Sequence, residues 1–337
     1  MLCAPAAADD AVDALARGRA DDAVSDRVFD KAAVLVYWGD LAGLEQLYTE
    51  PVDAEMLRGA SLDMDGQHWA VSVALHNRQP ADHANDRAYE SLEAAMLQWA
   101  ERRPDLPAAH IAYADYLLSH GGSIRGETYA REVPAAQMER YKALSGRALK
   151  YLRAHRALIE SSTFGRMKML HAMKTFGSEA EAIWNQASDY IRMNPEPRFV
   201  YRFLGETFVP RWYGASDGSS LEYVARESVK LSRDQIGMSA YAIIYSSAAT
   251  LEYGAGLFEN SPARWPDMKQ GFEDVLAKAP TLEWHNRYAY FACLARDRET
   301  LRRQLAILGE ERKRFLGSWG STGARTQDEC VRFAEQV

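Results

Sequence analysis

The chain has little of what builds the specialised classes of protein. Three cysteines cannot form a disulfide-dense scaffold. Its 22 glycines and 12 prolines sit near the ordinary background for 337 residues, which excludes collagen-like and low-complexity architectures. Positive charge is not in excess: 40 Lys+Arg face 47 Asp+Glu, a formal net charge of -7. That acidic balance opposes phosphate and argues against a bulk nucleic-acid binder. No apolar run is long enough to cross a bilayer. The most apolar stretch, 236–251, contains Ser239, Ser246, Ser247 and Thr250 and falls short of the ~20 residues required; it reads as a buried helix. β-branched residues are sparse and isolated, and no hairpin turn lies between alternating segments, so strands are not expected.

What is present is core material with helical spacing. Hydrophobic residues make up 47% of the chain and aromatics 11%, too much for dominant disorder. In 84–103, Ala88, Leu92, Ala95, Met96 and Trp99 recur at helical intervals, and in 135–159 Met138, Tyr141, Leu144, Ala148, Leu152 and Ile159 do the same. Capping boxes are expected at Ser178/Glu181, Ser219/Glu222 and Thr326/Glu329. Gly254 and Gly309 stand where carboxyl-terminal caps belong. Aligning Pro104, Pro195 and Pro280 reveals a repeated pattern of helix, proline stop, then a helix in which a small residue (Ala114, Gly205 or Ala289) neighbours an aromatic. The small residue lets two helices approach closely.

Tyr201, Leu204, Gly205 and Phe208 occupy the large, Leu, small and aromatic positions of a tetratricopeptide first helix, and this part of the chain resembles that repeat. The prolines are not 34 residues apart. The expected fold is therefore all-α, an irregular tetratricopeptide-like α-solenoid of antiparallel helix pairs. Residues 1–28 read as a flexible tail or signal-peptide remnant. Residues 29–337 read as a single helical-repeat domain, less regular over 29–79 and tetratricopeptide-like over 84–337. Excursions from the array are expected over 254–266 and 316–325.

Three further pieces carry a second resemblance. They are His120-Gly121-Gly122-Ser123-Ile124-Arg125-Gly126 with Tyr129, then Pro210-Arg211-Trp212-Tyr213-Gly214-Ala215-Ser216, and Cys293-Leu294-Ala295-Arg296-Asp297 with Trp319 and Cys330. Together, from about Val34 onward, they are similar to an uncharacterised bacterial family known only as a domain of unknown function (DUF4034-like). The resemblance implies a helical-repeat interaction protein in a secreted or envelope setting and supplies no catalytic residues.

The candidate chemistry is thin. His68, His76 and His83 cluster in sequence, yet no metal-ligand spacing occurs, and no metal or other cofactor is expected. Walker and dinucleotide glycine patterns are missing, and although Gly214-Ala215-Ser216-Asp217-Gly218 has the letters of Gly-x-Ser-x-Gly, no strand precedes it and no nucleophile elbow is expected. Ser216-Asp217-Gly218-Ser219-Ser220 reads as a glycine turn into a helix start, or as an anion loop. Two glycines are expected to end a helix over 111–119, leaving a polar connection in which His120, Arg125 and Tyr129 either face a partner or lock the turn. Arg211 and Trp212 form either a surface contact pair or, through Trp212, a wedge between helices. Arg147, Lys150 and Arg153 lie near one helix face, with Arg140 and Arg156 flanking them. Cys293 and Cys330 form a candidate disulfide if the last helix folds back in an oxidising compartment.

Ala6-Ala7-Ala8 before Asp9 resembles the end of a secretory signal, although only Met1 and Leu2 precede Cys3. Either the start codon lies further upstream or the alanines are a tail. The expected location is periplasmic or secreted, with cytoplasmic the alternative. The leading functional reading is a non-enzymatic binding protein that engages another protein, with an envelope scaffold or a toxin-neutralising (immunity) protein as specific versions. The alternative is a hydrolase with a carboxylate site between helices, using Glu127, Asp217 and Glu222. A third reading is a module that holds a small amphipathic ligand.

Overall fold

The computed structural model describes residues 42–43, 45–46, 86–126, 132–196, 198–320 and 323–336. Among them every regular element is helical and no strand occurs. The described chain groups into two compact units, one ending at Gln186 and one beginning at Ala187. None of the described helices is long and apolar enough to cross a membrane.

The first unit contains α1 (Asp86–Arg102), α2 (Pro107–Arg125), α3 (Ala135–Ala154), the single turn α4 (Arg156–Ile159) and α5 (Thr163–Phe176). α6 (Ala180–Met193) contains the boundary. Pro107 opens α2, where a missing N–H costs nothing. α2 packs on α1, α3 and α5. Its burial is nearly all-round, from Ala108 to Leu117, as expected for a helix enclosed by three neighbours. The surrounding core is aromatic, with Tyr89, Trp99, Tyr113 and Tyr116. α5 is capped by Ser162, whose hydroxyl accepts from the Gly165 N–H at 3.2 Å. Lys168 of α5 and Asp115 of α2 form a buried ion pair at 2.5 Å.

The second unit contains α7 (Phe199–Thr207), α8 (Ser219–Ile236), α9 (Ser239–Ala248), a π-turn (Ala249–Tyr253), a 3-10 turn (Gly254–Gly256) and the short α10 (Leu257–Asn260). After these come α11 (Trp265–Lys278), α12 (Leu282–Leu294), α13 (Arg298–Leu308), a long 3-10 segment (Gly309–Trp319) and α14 (Gly323–Glu335). Every residue of α9 is buried. It packs on α7, α8 and α11, while α12 packs on α11, α13, the 3-10 segment and α14. Gly205 of α7 permits the closest of these contacts, since a Cβ there would lie 2.2 Å from the Ile244 carbonyl oxygen.

Each aligned proline does stand between two helices: Pro104 between α1 and α2, Pro195 between α6 and α7, Pro280 between α11 and α12. Several boundaries differ from the sequence reading. The stretch 236–251 is not one helix. Gly237, at φ +58, ends α8, and the Asp274 carboxylate accepts from the Met238 N–H at 2.6 Å to start α9. Helix 135–159 breaks at His155. The Ser219/Glu222 box is replaced by Asp217, which accepts from the Ser219 N–H at 2.9 Å. Thr326 lies inside α14, which begins at Gly323. Gly254 and Gly309 do end helical segments, both at positive φ.

Candidate functional site

The helix expected to stop near Ser119 runs on to Arg125. Gly121 serves packing instead of termination: a Cβ there would come within 3.3 Å of the Tyr141 ring on α3. His120 is therefore a core residue, 7% exposed, stacked on Tyr89 with ring centroids 3.8 Å apart. Arg125 lies in the last helical turn, where its guanidinium donates to the Gly126 carbonyl at 2.8 Å. Of the two roles weighed for it, this contact is the turn-locking one. Tyr129 and Glu127 lie outside the described residues, as do His68, His76 and His83.

Another aromatic and histidine cluster joins α2 to α3. The His110 ring shares a 2.7 Å hydrogen bond with the Tyr151 hydroxyl and lies 4.6 Å from the His155 ring. Burial, aided by the nearby His155, pushes the His110 imidazole below its usual pKa. Burial pushes the Tyr151 phenol up to about 12. The cationic row is not wholly solvated: Arg147 pairs with Glu93 of α1, and Arg156 pairs with Glu160 at 2.9 Å.

In the second unit the loop 208–218 presents Arg211 and Trp212. Gly214 lets this loop double back, since a Cβ there would sit 2.2 Å from the Phe208 carbonyl oxygen. Trp212 is 44% exposed and so is not a wedge between helices. Arg211 pairs with Glu252 of the π-turn at 2.5 Å. Tyr223, one turn into α8, is 56% exposed.

Of the carboxylates of the hydrolase alternative, Glu222 and Asp217 lie among the described residues, and both are held in hydrogen bonds. Glu222 accepts from the Tyr245 hydroxyl at 2.5 Å, the Tyr241 hydroxyl at 3.1 Å and the Arg226 guanidinium at 2.8 Å. Arg226 also donates to Asp267 at 2.7 Å. Burial, together with the bond to Glu222, raises the Tyr245 phenol far above its ordinary pKa. The arrangement ties α8, α9 and α11 together. Asp217 is exposed, and its hydrogen bonds with Ser219 hold its carboxyl below the ordinary value. Among the described residues no group of three His, Cys, Asp or Glu side chains is placed to hold a metal ion.

At the end of the chain Cys293 of α12 and Cys330 of α14 are joined in a disulfide, with Cα atoms 5.7 Å apart. The 3-10 segment between them is anchored by fully buried Trp319, whose indole N–H donates to Asn286 at 2.7 Å. A groove of about 460 Å³ runs between α13 and α14, lined by Arg302, Leu305, Val331 and Ala334.

Sequence reasoning missed a second cavity, of about 330 Å³. One wall is the π-turn, including Thr250 and Glu252, and the opposite wall is Gly317, Ser318 and Gly320. Arg287, Tyr290 and Phe291 of α12 complete it. The only sequence signal was indirect: Gly254 of one wall and Gly317, Ser318 and Gly320 of the other fall in the two stretches expected to depart from the helical array. No family model, no curated protein and no solved structure matches this chain.

Proposed function

We propose that this chain is a non-enzymatic helical-repeat protein that binds another protein. The observation that carries this reading is the loop leading into α8, where exposed Trp212 adjoins Arg211 and Tyr223 follows one turn into the helix. Trp, Tyr and Arg are the residue types that dominate binding energy at protein interfaces. The irregular tetratricopeptide-like arrangement belongs to the same proposal. Its support is the chain of neighbour contacts among α7, α8, α9, α11, α12 and α13, and the tight Gly205 crossing. The domain-of-unknown-function resemblance points the same way. A periplasmic or secreted location is supported by the Cys293–Cys330 disulfide, because such bonds persist mainly in oxidising compartments. Within that setting, an envelope scaffold and a toxin-neutralising protein are the specific versions.

The test is cross-linked affinity capture from the native cell envelope, comparing the wild-type chain with a Trp212→Ala/Tyr223→Ala double variant. Loss of one stoichiometric partner, with helical circular dichroism retained, supports the reading. Capture of the same partner by both proteins removes this surface from the site.

A further inference from the structure

The π-turn cavity has features that the packing of α9 against its neighbours does not need. A five-residue π-turn is rare, and such turns concentrate at functional sites. Here the Gly254 N–H bonds to the Ala249 carbonyl, widening the end of α9 where a regular helix would have closed it. The facing wall is held open by glycine. Gly320, at φ +82, leaves room for the Tyr290 hydroxyl, which would lie 2.9 Å from a Cβ at that position. At Gly317 a Cβ would meet nothing within 4 Å.

The cavity is lined by the polar side chains of Thr250, Glu252, Arg287, Tyr290 and Ser318. Tyr290 is 5% exposed, and its hydroxyl, which bonds to no described residue, is not among the fully buried polar atoms and stays accessible from the cavity. Arg287 stands three residues earlier on the same helix, so both side chains leave one face of α12. Its Nε and one terminal nitrogen donate to Glu283 at 3.0 and 2.8 Å. The remaining terminal nitrogen donates to no described residue. Glu252 across the cavity is already paired with Arg211. Phe291 supplies an apolar surface beside these donors.

We propose that this cavity binds a small amphipathic organic carboxylate. The carboxylate accepts from Tyr290 and Arg287, and the apolar body lies on Phe291 and the π-turn. A volume of about 330 Å³ suits a molecule of about a dozen non-hydrogen atoms, at the small end of ordinary ligand cavities. The Glu252–Arg211 pair joins this site to the surface at Trp212, but neither proposal rests on the other.

The test uses the full chain and three probes: 3-phenylpropionate, L-phenylalanine and phenethylamine. Binding is read by saturation-transfer NMR and calorimetry. The two carboxylates are expected to bind saturably, and the amine, which lacks the carboxylate, is not. Tyr290→Phe is expected to weaken the carboxylates about tenfold, the worth of one good hydrogen bond. The same variant is expected to keep Tm, because the hydroxyl has no hydrogen bond to a described residue to lose. Gly317→Phe is expected to fill the cavity and abolish binding while helical content is retained. Three results would overturn the proposal: no saturable binding of either carboxylate, binding of the amine alone, or unchanged carboxylate binding in both folded variants. A fall in Tm for Tyr290→Phe without a change in affinity would assign the hydroxyl to structure and overturn it equally.

Discussion

Gly205 shows how one residue sets the distance between two helices. With its Cβ position 2.2 Å from the Ile244 carbonyl and 2.9 Å from the Ser247 Cβ, no rotamer change can relieve an added methyl. Gly205→Ala is expected to cost about 2–3 kcal/mol in urea unfolding, the range for overpacking against backbone. Glu222 is the polar counterpart. It gathers two tyrosine hydroxyls and a guanidinium from α8 and α9. Glu222→Ala leaves those donors half-buried without their acceptor and is expected to cost about 3 kcal/mol. A loss under about 0.5 kcal/mol in the same assay would contradict that role. The role of Glu222 was illegible in sequence. The sequence offers Glu222 as half of a capping box or as a carboxylate of a site between helices, because capping geometry is local, whereas the two tyrosines stand 19 and 23 residues away.

At the scale of elements, α13 begins on a carboxylate that also binds its neighbour helix. Asp297 accepts from the Thr300 N–H and hydroxyl, from Lys269 and from the Trp265 indole. Burial works to raise its pKa, but these hydrogen bonds outweigh it and hold the carboxyl well below the ordinary value. A depressed carboxyl stabilises the fold above its unfolded pKa, and that stabilisation is lost as pH falls through the folded value. Asp297→Ala is therefore expected to cost about 1–2 kcal/mol near neutrality. Its gap from wild type should narrow in urea titrations below about pH 4. The buried histidines are bases that the fold keeps neutral, and they too cost the chain stability as pH falls. Burial lowers the pKa of both His110 and His285, so the unfolded chain binds protons that the folded chain refuses. Stability should then decline as pH drops below about 6.5, and NMR titration should find both imidazoles below that value. Either imidazole titrating above it would contradict the placement. The aligned prolines made the α1–α2, α6–α7 and α11–α12 junctions readable, since a proline stop acts within a few residues. Gly121 was misread because a helical glycine and a terminating glycine look alike until the neighbouring helix is known.

For the whole molecule, the disulfide ties the last helix, α14, to α12. Cys293 and Cys330 are separated by 37 positions, and opening that loop in a Cys293→Ser/Cys330→Ser variant is expected to cost about 3 kcal/mol. Thermal unfolding with and without reductant checks this, and reductant should leave the variant's Tm unchanged. Equal Tm for oxidised wild type and variant would remove the bond's structural role. The sequence by itself determined the all-helical class, because helical periodicity, prolines and glycine caps are all read within a turn or two of chain. It also marked the two cysteines as a candidate pair and the stretches 254–266 and 316–325 as departures from regular helix. Tertiary structure alone decided that His120 is core, that Trp212 is exposed, and that Tyr290 and Arg287 share a cavity with a π-turn. Those outcomes depend on which distant helix arrives at each face, and a local pattern carries no record of that.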